Sequence, residues 1–132
     1  MRLEEIPTED LNPPGGTAAG VELAGRRPDE RPDAVIAVTD LLGMAIIQVF
    51  NGAGIDVPHD IAVMGCDENS AAWGGTIPLT SVRMRGIDMG AEGTRLLLEE
   101  VAAATQGVEH EHRTVMLEPS LVVRESTVGR AG

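Results

Sequence analysis

The stretch "DAVIAVTDLLGMAIIQVFNGAGIDVPHDIAVMGCDE", Asp33 to Glu68, places two apolar, β-rich runs on either side of a segment with helical character. The first run, Ala34 to Val38, is bounded by polar residues, the pattern of a strand buried on both faces in a parallel sheet. Thr39 or Asp40 is placed to cap the helix that follows, because a short polar side chain accepts from the free amides of a first helical turn. Gly52 and Gly54 supply its left-handed stop. Leu41, Leu42, Met44, Ile46, Ile47, Val49 and Phe50 make this helix apolar nearly all round. One face is therefore expected on the sheet and part of the other against a second chain, which puts Met44 and Ile47 at a dimer interface. After the turn "IDVPHD", "IAVMGC" reads as a second buried strand, and the whole as a right-handed β-α-β unit.

In open α/β sheets, ligands bind beyond the carboxyl ends of the strands. Those ends carry Thr39 and Asp40, then Asp67 and Glu68. Carboxylates at the point where a buried strand stops are expected to face a ligand cleft.

Outward from this core the signals weaken. Met1 to about Gly16 is polar and proline-bearing, with Arg2 to Ile6 the one short strand it predicts. Thr17 to Arg26 predicts a weakly amphipathic helix stopped by Pro28 and Pro32. Beyond the acids, "LTSV" suggests a short third strand, and "RGIDMGAEGTRLLLEEVAAAT" an amphipathic helix with Ile87, Ala91, Leu97, Leu98 and Val101 on one side and Gly107 at its end. "RTVMLEPSLVVRES" reads as two strand-like segments broken at Pro119.

The totals narrow the function. A chain of 132 residues makes one domain or part of one. Its formal charge of −11, with all ten basic residues arginine, repels phosphate backbones and anionic lipid, so DNA and membrane are not expected as direct partners. A neutral or cationic small molecule suits this surface better. Cys66, the only cysteine, excludes an intramolecular disulfide and reads as a small buried hydrophobe. The beginning "MRLEEIPTED" has no basic start or apolar run of a signal peptide, which predicts a cytoplasmic setting.

No Ser-His-Asp set or phosphate loop is present, and no cofactor is expected. "HEH", His110 to His112, has no further ligand at helical or hairpin spacing, so the sequence predicts an exposed loop and no metal site. Trp73, the one tryptophan, is placed to line the cleft or an interface. Two other classes were weighed. A phospho-acceptor signalling domain has acids at strand ends but would use a neighbouring lysine, and this chain has none; an extracytoplasmic sugar-binding protein would be marked by a signal peptide.

"G-I-x-V-P-x-D-I-A-V-M-G-x-D" at Gly54 to Asp67, "P-L-T-S-V-R" at Pro78 to Arg83 and "L-V-V-R-E-S-T" at Leu121 to Thr127 resemble, in order and spacing, the effector-binding domain of LacI/GalR-type bacterial transcription regulators. The resemblance runs from roughly Thr8 to Thr127 and concerns the C-terminal half of that domain. It implies an α/β, parallel-sheet, three-layer lobe of the type I periplasmic-binding-protein-like fold, present as a partial domain. It also implies a non-enzymatic protein that binds a sugar-like effector, forms a homodimer, and reaches DNA only through a headpiece lying outside this chain. The implied parts are the C-terminal lobe at residues 1–82, a crossover helix and strand at 83–118 that pack on the other lobe, and a return strand and tail at 119–132. By the same resemblance Asp67 matches the acid that hydrogen-bonds effector, Thr39 a polar contact that is often asparagine, and Asp40 an aspartate that caps the helix more than it touches ligand. Leu11 stands where relatives often stack an aromatic residue on the effector.

Overall fold

The structure, a computed structural model, describes residues 2–69 and 77–128. The chain divides into two compact units, Met1–Arg83 with Ser120–Gly132, and Met84–Pro119.

In the first unit, β1 (Ala34–Ile36), β2 (Ala62–Cys66), β3 (Thr80–Arg83) and β4 (Ser120–Val122) form a four-stranded sheet in the order β1-β2-β3-β4. The first three strands are parallel and β4 is antiparallel to β3. The α/β class expected from the sequence is present, with a mixed rather than a wholly parallel sheet. β2 alternates half-buried with buried residues, Val63 and Gly65 facing the core. β1 departs from the expectation of burial on both faces. It is an edge strand among the described residues, and Ile36 is 72% exposed, because only β2 pairs with it. No strand forms at Arg2 to Ile6, and Cys66 is half-buried rather than buried.

Helix α2 (Asp40–Gly52) begins where the Thr39 hydroxyl accepts from the Leu42 amide at 3.3 Å. It ends where Gly54 turns left-handed at φ 72° and Ile55 N–H returns to the Phe50 carbonyl. One side packs on β2 and the other on α1 (Pro13–Ala24). This overturns the assignment of Met44 and Ile47 to a dimer interface. They are 8% and 3% exposed and belong to the same core cluster as Leu23, Phe50, Ile61, Val63 and Leu79, so neither side chain is available to a second chain.

Helix α1 starts four residues before the expected Thr17. Asn12 accepts from Gly15 N–H at 3.1 Å, and Pro13 and Pro14 occupy the first positions, where their missing donors cost nothing. Its weak amphipathic signal has a physical origin: apart from Leu23, its buried residues Gly16, Ala19 and Gly20 are small. A Cβ on Gly16 would sit 2.6 Å from the Leu42 carbonyl oxygen, and one on Gly20 3.0 Å from Val49 Cβ. Backbones this close exclude any side chain.

The return segment locks the sheet. Ser126, on the short α4 (Glu125–Val128), is fully buried; its hydroxyl donates to the Val63 carbonyl at 2.6 Å and accepts from Thr80 N–H at 2.8 Å. Thr80 is tied in turn to the backbone of Arg124 through its own hydroxyl.

The second unit carries α3 (Gly86–Gln106), capped by left-handed Gly107 at φ 66°, with Val108 N–H returning to the Ala103 carbonyl. No α3 residue is buried, and Ile87, Leu97, Leu98 and Val101 are all more than half exposed. The strand expected at "TVML" does not form; a strand needs a ladder partner, and this unit holds one helix and no sheet.

Gly16→Ala should lose about 1–3 kcal/mol in urea denaturation, overpacking against Leu42 outweighing the helical gain of alanine. Gly52→Ala, with nothing within 4 Å of the added methyl, should be neutral or more stable by up to about 1 kcal/mol.

Candidate functional site

The carboxyl ends of β1, β2 and β3 converge around one buried hydroxyl. Ser81 of β3 is fully buried; its Oγ donates to Asp40 Oδ1 at 2.6 Å and accepts from the Glu68 amide at 2.9 Å. Asp40, in the first turn of α2, is also fully buried. Room for its carboxylate exists because residue 65 is glycine: a Cβ there would lie 2.3 Å from Asp40 Oδ1.

The chain leaves β2 through two residues in succession with positive φ, Asp67 at 104° and Glu68 at 61°. Neither is glycine, and each such conformation costs about 1–3 kcal/mol, so it persists only where the surroundings fix it. Here two hydrogen bonds do so, Asp67 N–H to the Val82 carbonyl at 3.0 Å and Glu68 N–H to Ser81. The turn leaves Asp67 exposed at the end of the sheet.

The two adjacent acids differ in electrostatics. Glu68 accepts from Arg83 through both carboxylate oxygens, at 2.5 and 2.6 Å, and Arg124 adds a third contact at 3.3 Å while donating to the Leu79 carbonyl. The Arg83 hydrogen bonds hold the Glu68 carboxyl below its ordinary range. Partial desolvation, and then the negative charge of Asp40 nearby, push the Asp67 carboxyl up. One acid is spent on arginines; the other remains at the surface.

Of the remaining residues singled out by the sequence, Thr39 stands at the start of α2 with its hydroxyl engaged as the cap. Leu11 is 58% exposed, in the segment leading to Asn12, and the first turns of α1 meet Leu42 just inside α2, which brings Leu11 toward the same end of the sheet. Trp73 lies outside the described residues. Sequence reasoning missed Ser81 and Gly65. A buried serine in "LTSV" and a glycine inside a strand carry no individual signal until Asp40 is seen to occupy the space between them.

Residues 2–127 match the periplasmic binding protein-like domain family, and the chain belongs to it. Among curated proteins it is 39% identical over 117 residues to the HTH-type transcriptional regulator CelR of Thermobifida fusca, covering 89% of this chain and 33% of that protein. It is 35% identical over 118 residues to the regulator MalR of Streptomyces coelicolor, covering 89% and 32%. The chain thus spans about a third of the length of these relatives. Among solved structures it is similar to a CelR–cellobiose complex, with TM-score 0.74, 38% identity, and 89% of this chain and 34% of that one covered. A LacI family regulator of Lactobacillus casei with bound glucose gives TM-score 0.74 and 34% identity, covering 88% and 40%. The relatives are LacI-family regulators.

The two acids should leave opposite marks on a stability–pH profile. The Glu68 contribution is present above the ordinary glutamate range and is lost as pH falls through the lowered folded value, so Glu68→Gln should be less stable than the parent at pH 7 and approach it progressively as the solution is acidified below that range. Asp67, with its folded value raised, opposes folding once ionised. Asp67→Asn should therefore match the parent in acid and gain on it as pH rises past the ordinary aspartate range, read as melting temperature against pH.

Proposed function

We propose that this chain forms part of the effector-binding domain of a LacI-type transcriptional regulator, with Asp67 accepting a hydrogen bond from a hydroxyl of a sugar-like effector. The observation that carries the reading is the pinned left-handed turn at the end of β2, which spends backbone strain to leave one unpaired-by-arginine carboxylate exposed at the sheet's carboxyl edge. In this reading Thr39, at the start of α2, and Leu11, in the segment before α1, supply further contacts to the effector. Asp40 acts beneath, holding Ser81 and through it the Glu68 amide, so its part is to position the turn. The relatives whose structures contain cellobiose or glucose support a polyhydroxylated ligand.

In the intact regulator, effector bound between two lobes would favour one arrangement of them and so shift the headpieces on DNA. This chain would contribute one side of that cleft, with a charge of −11 that disfavours any DNA contact of its own. A non-enzymatic, cytoplasmic regulator follows from the same reading, as does homodimerisation. Since α2 is sealed inside the core, self-association would use another surface. Of the two acids a phospho-acceptor role would use, Asp40 or Asp67, Asp40 is fully buried.

With one side of a cleft, binding should be weak. Titrating the isotopically labelled chain with glucose and cellobiose to tens of millimolar should shift the amide resonances of Thr39, Asp67 and Glu68, and Asp67→Asn should abolish those shifts while leaving the spectrum folded. Shifts confined to other residues, or undiminished in Asp67→Asn, would remove Asp67 from the site.

A further inference from the structure

We propose that Glu100, His110 and His112 form a binding site for a divalent transition-metal ion of the zinc type. Gly107 ends α3 in a left-handed turn, and the chain beyond it doubles back along the helix. Arg113 reaches Glu99 in this way, and the same reversal brings both imidazoles to Glu100. One ligand atom from each of the three residues lies within 4.8 Å of the others. The two rings stand edge to face, centroids 5.4 Å apart and planes at 86°, so they approach a shared point from different directions.

The donor set selects the ion. Two imidazole nitrogens and one carboxylate suit zinc, nickel or copper and not magnesium or calcium, which prefer all-oxygen shells. Around zinc with bonds of about 2.0–2.1 Å, tetrahedral donors lie about 3.3 Å apart, so the three groups need to close by at most about 1.5 Å. Glu100 and His112 are exposed and His110 is half-buried, which leaves the side-chain freedom for that closure. The neighbouring acid Glu99 is already engaged by Arg95 and Arg113, which leaves Glu100 as the carboxylate facing the imidazoles. A fourth position stays open to water beside a shallow pocket lined by Glu99, His110, Glu111 and Arg113. The negative charge of the chain raises the local concentration of cations.

Binding has a structural consequence for this unit. A metal tying residue 100 to residues 110 and 112 would staple the last turns of α3, a helix with no buried residue, to the segment that follows. The inference concerns the second unit alone and does not rest on the effector reading.

Zinc chloride titrated into the full chain in a calorimeter, with far-ultraviolet circular dichroism in parallel, tests this. One ion per chain and a gain in helical signal are expected. Glu100→Gln, His110→Ala and His112→Ala should each weaken binding by at least about 10-fold, removal of a ligand costing no less than loss of a supporting group. His59→Ala, which alters an exposed histidine paired with Asp56, should bind as the parent does. The metal-free spectra of all variants should coincide, since the altered side chains bury no core. Absence of saturable zinc binding, or parental affinity in the His110→Ala/His112→Ala double variant, would overturn the site; parental affinity in Glu100→Gln would overturn the three-ligand geometry.

Discussion

A buried carboxylate has to be hydrogen-bonded or neutralised, and that requirement at Asp40 organises the end of the sheet. Its partner is the Ser81 hydroxyl, which has one proton and gives it to Asp40. The Ser81 oxygen is then left as an acceptor, and the donor in reach is the Glu68 amide. Satisfying that acceptor bends the chain into the left-handed turn at Asp67 and Glu68. One hydroxyl thus joins α2, β3 and the exit of β2, and glycine at 65 is the steric condition for all three to meet. Shape at the strand ends follows from burial below them.

Two adjacent acids acquire different properties from this arrangement. Glu68 faces Arg83 and Arg124 and becomes part of the scaffold. Asp67 is exposed, and partial desolvation together with the buried negative charge of Asp40 disfavours its ionisation. The sequence "DE" does not distinguish them; β3 does, its Ser81 accepting from the Glu68 amide and its Arg83 donating to the Glu68 carboxylate.

The β-α-β core was legible because large apolar residues recur there at clear periods, and the motifs around Asp67 placed the candidate site. Where the reading failed, the deciding residues were small or distant. The pattern of α2 does not reveal that a second helix covers it, because that helix, α1, approaches it most closely at Gly16 and Gly20, which add little to a hydrophobic pattern. Met44 and Ile47 lie inside the core and not at a surface between chains. "TVML" has strand-forming residues but no neighbouring strand in its unit, and propensity without a ladder does not make a sheet. "HEH" lacked a third ligand at any regular spacing because the turn at Gly107, ten residues in sequence from Glu100 to His110, is what supplies it.

The Ser126 lock also sets an order of events during synthesis. The first unit is discontinuous: β3 and β4 are neighbours in the sheet, yet all of Met84–Pro119 lies between them in sequence. Thr80 emerges from a ribosome 46 residues ahead of the hydroxyl that receives its amide, and Val63 waits 63 residues for the same group. A nascent chain carrying α1, α2 and β1 to β3 therefore holds an open sheet edge and unsatisfied backbone until Ser126 arrives. Such long-range closure slows folding and leaves that edge available for mispairing in the interval. The intervening unit, helical along most of its length, occupies that interval with local structure that cannot itself complete the sheet.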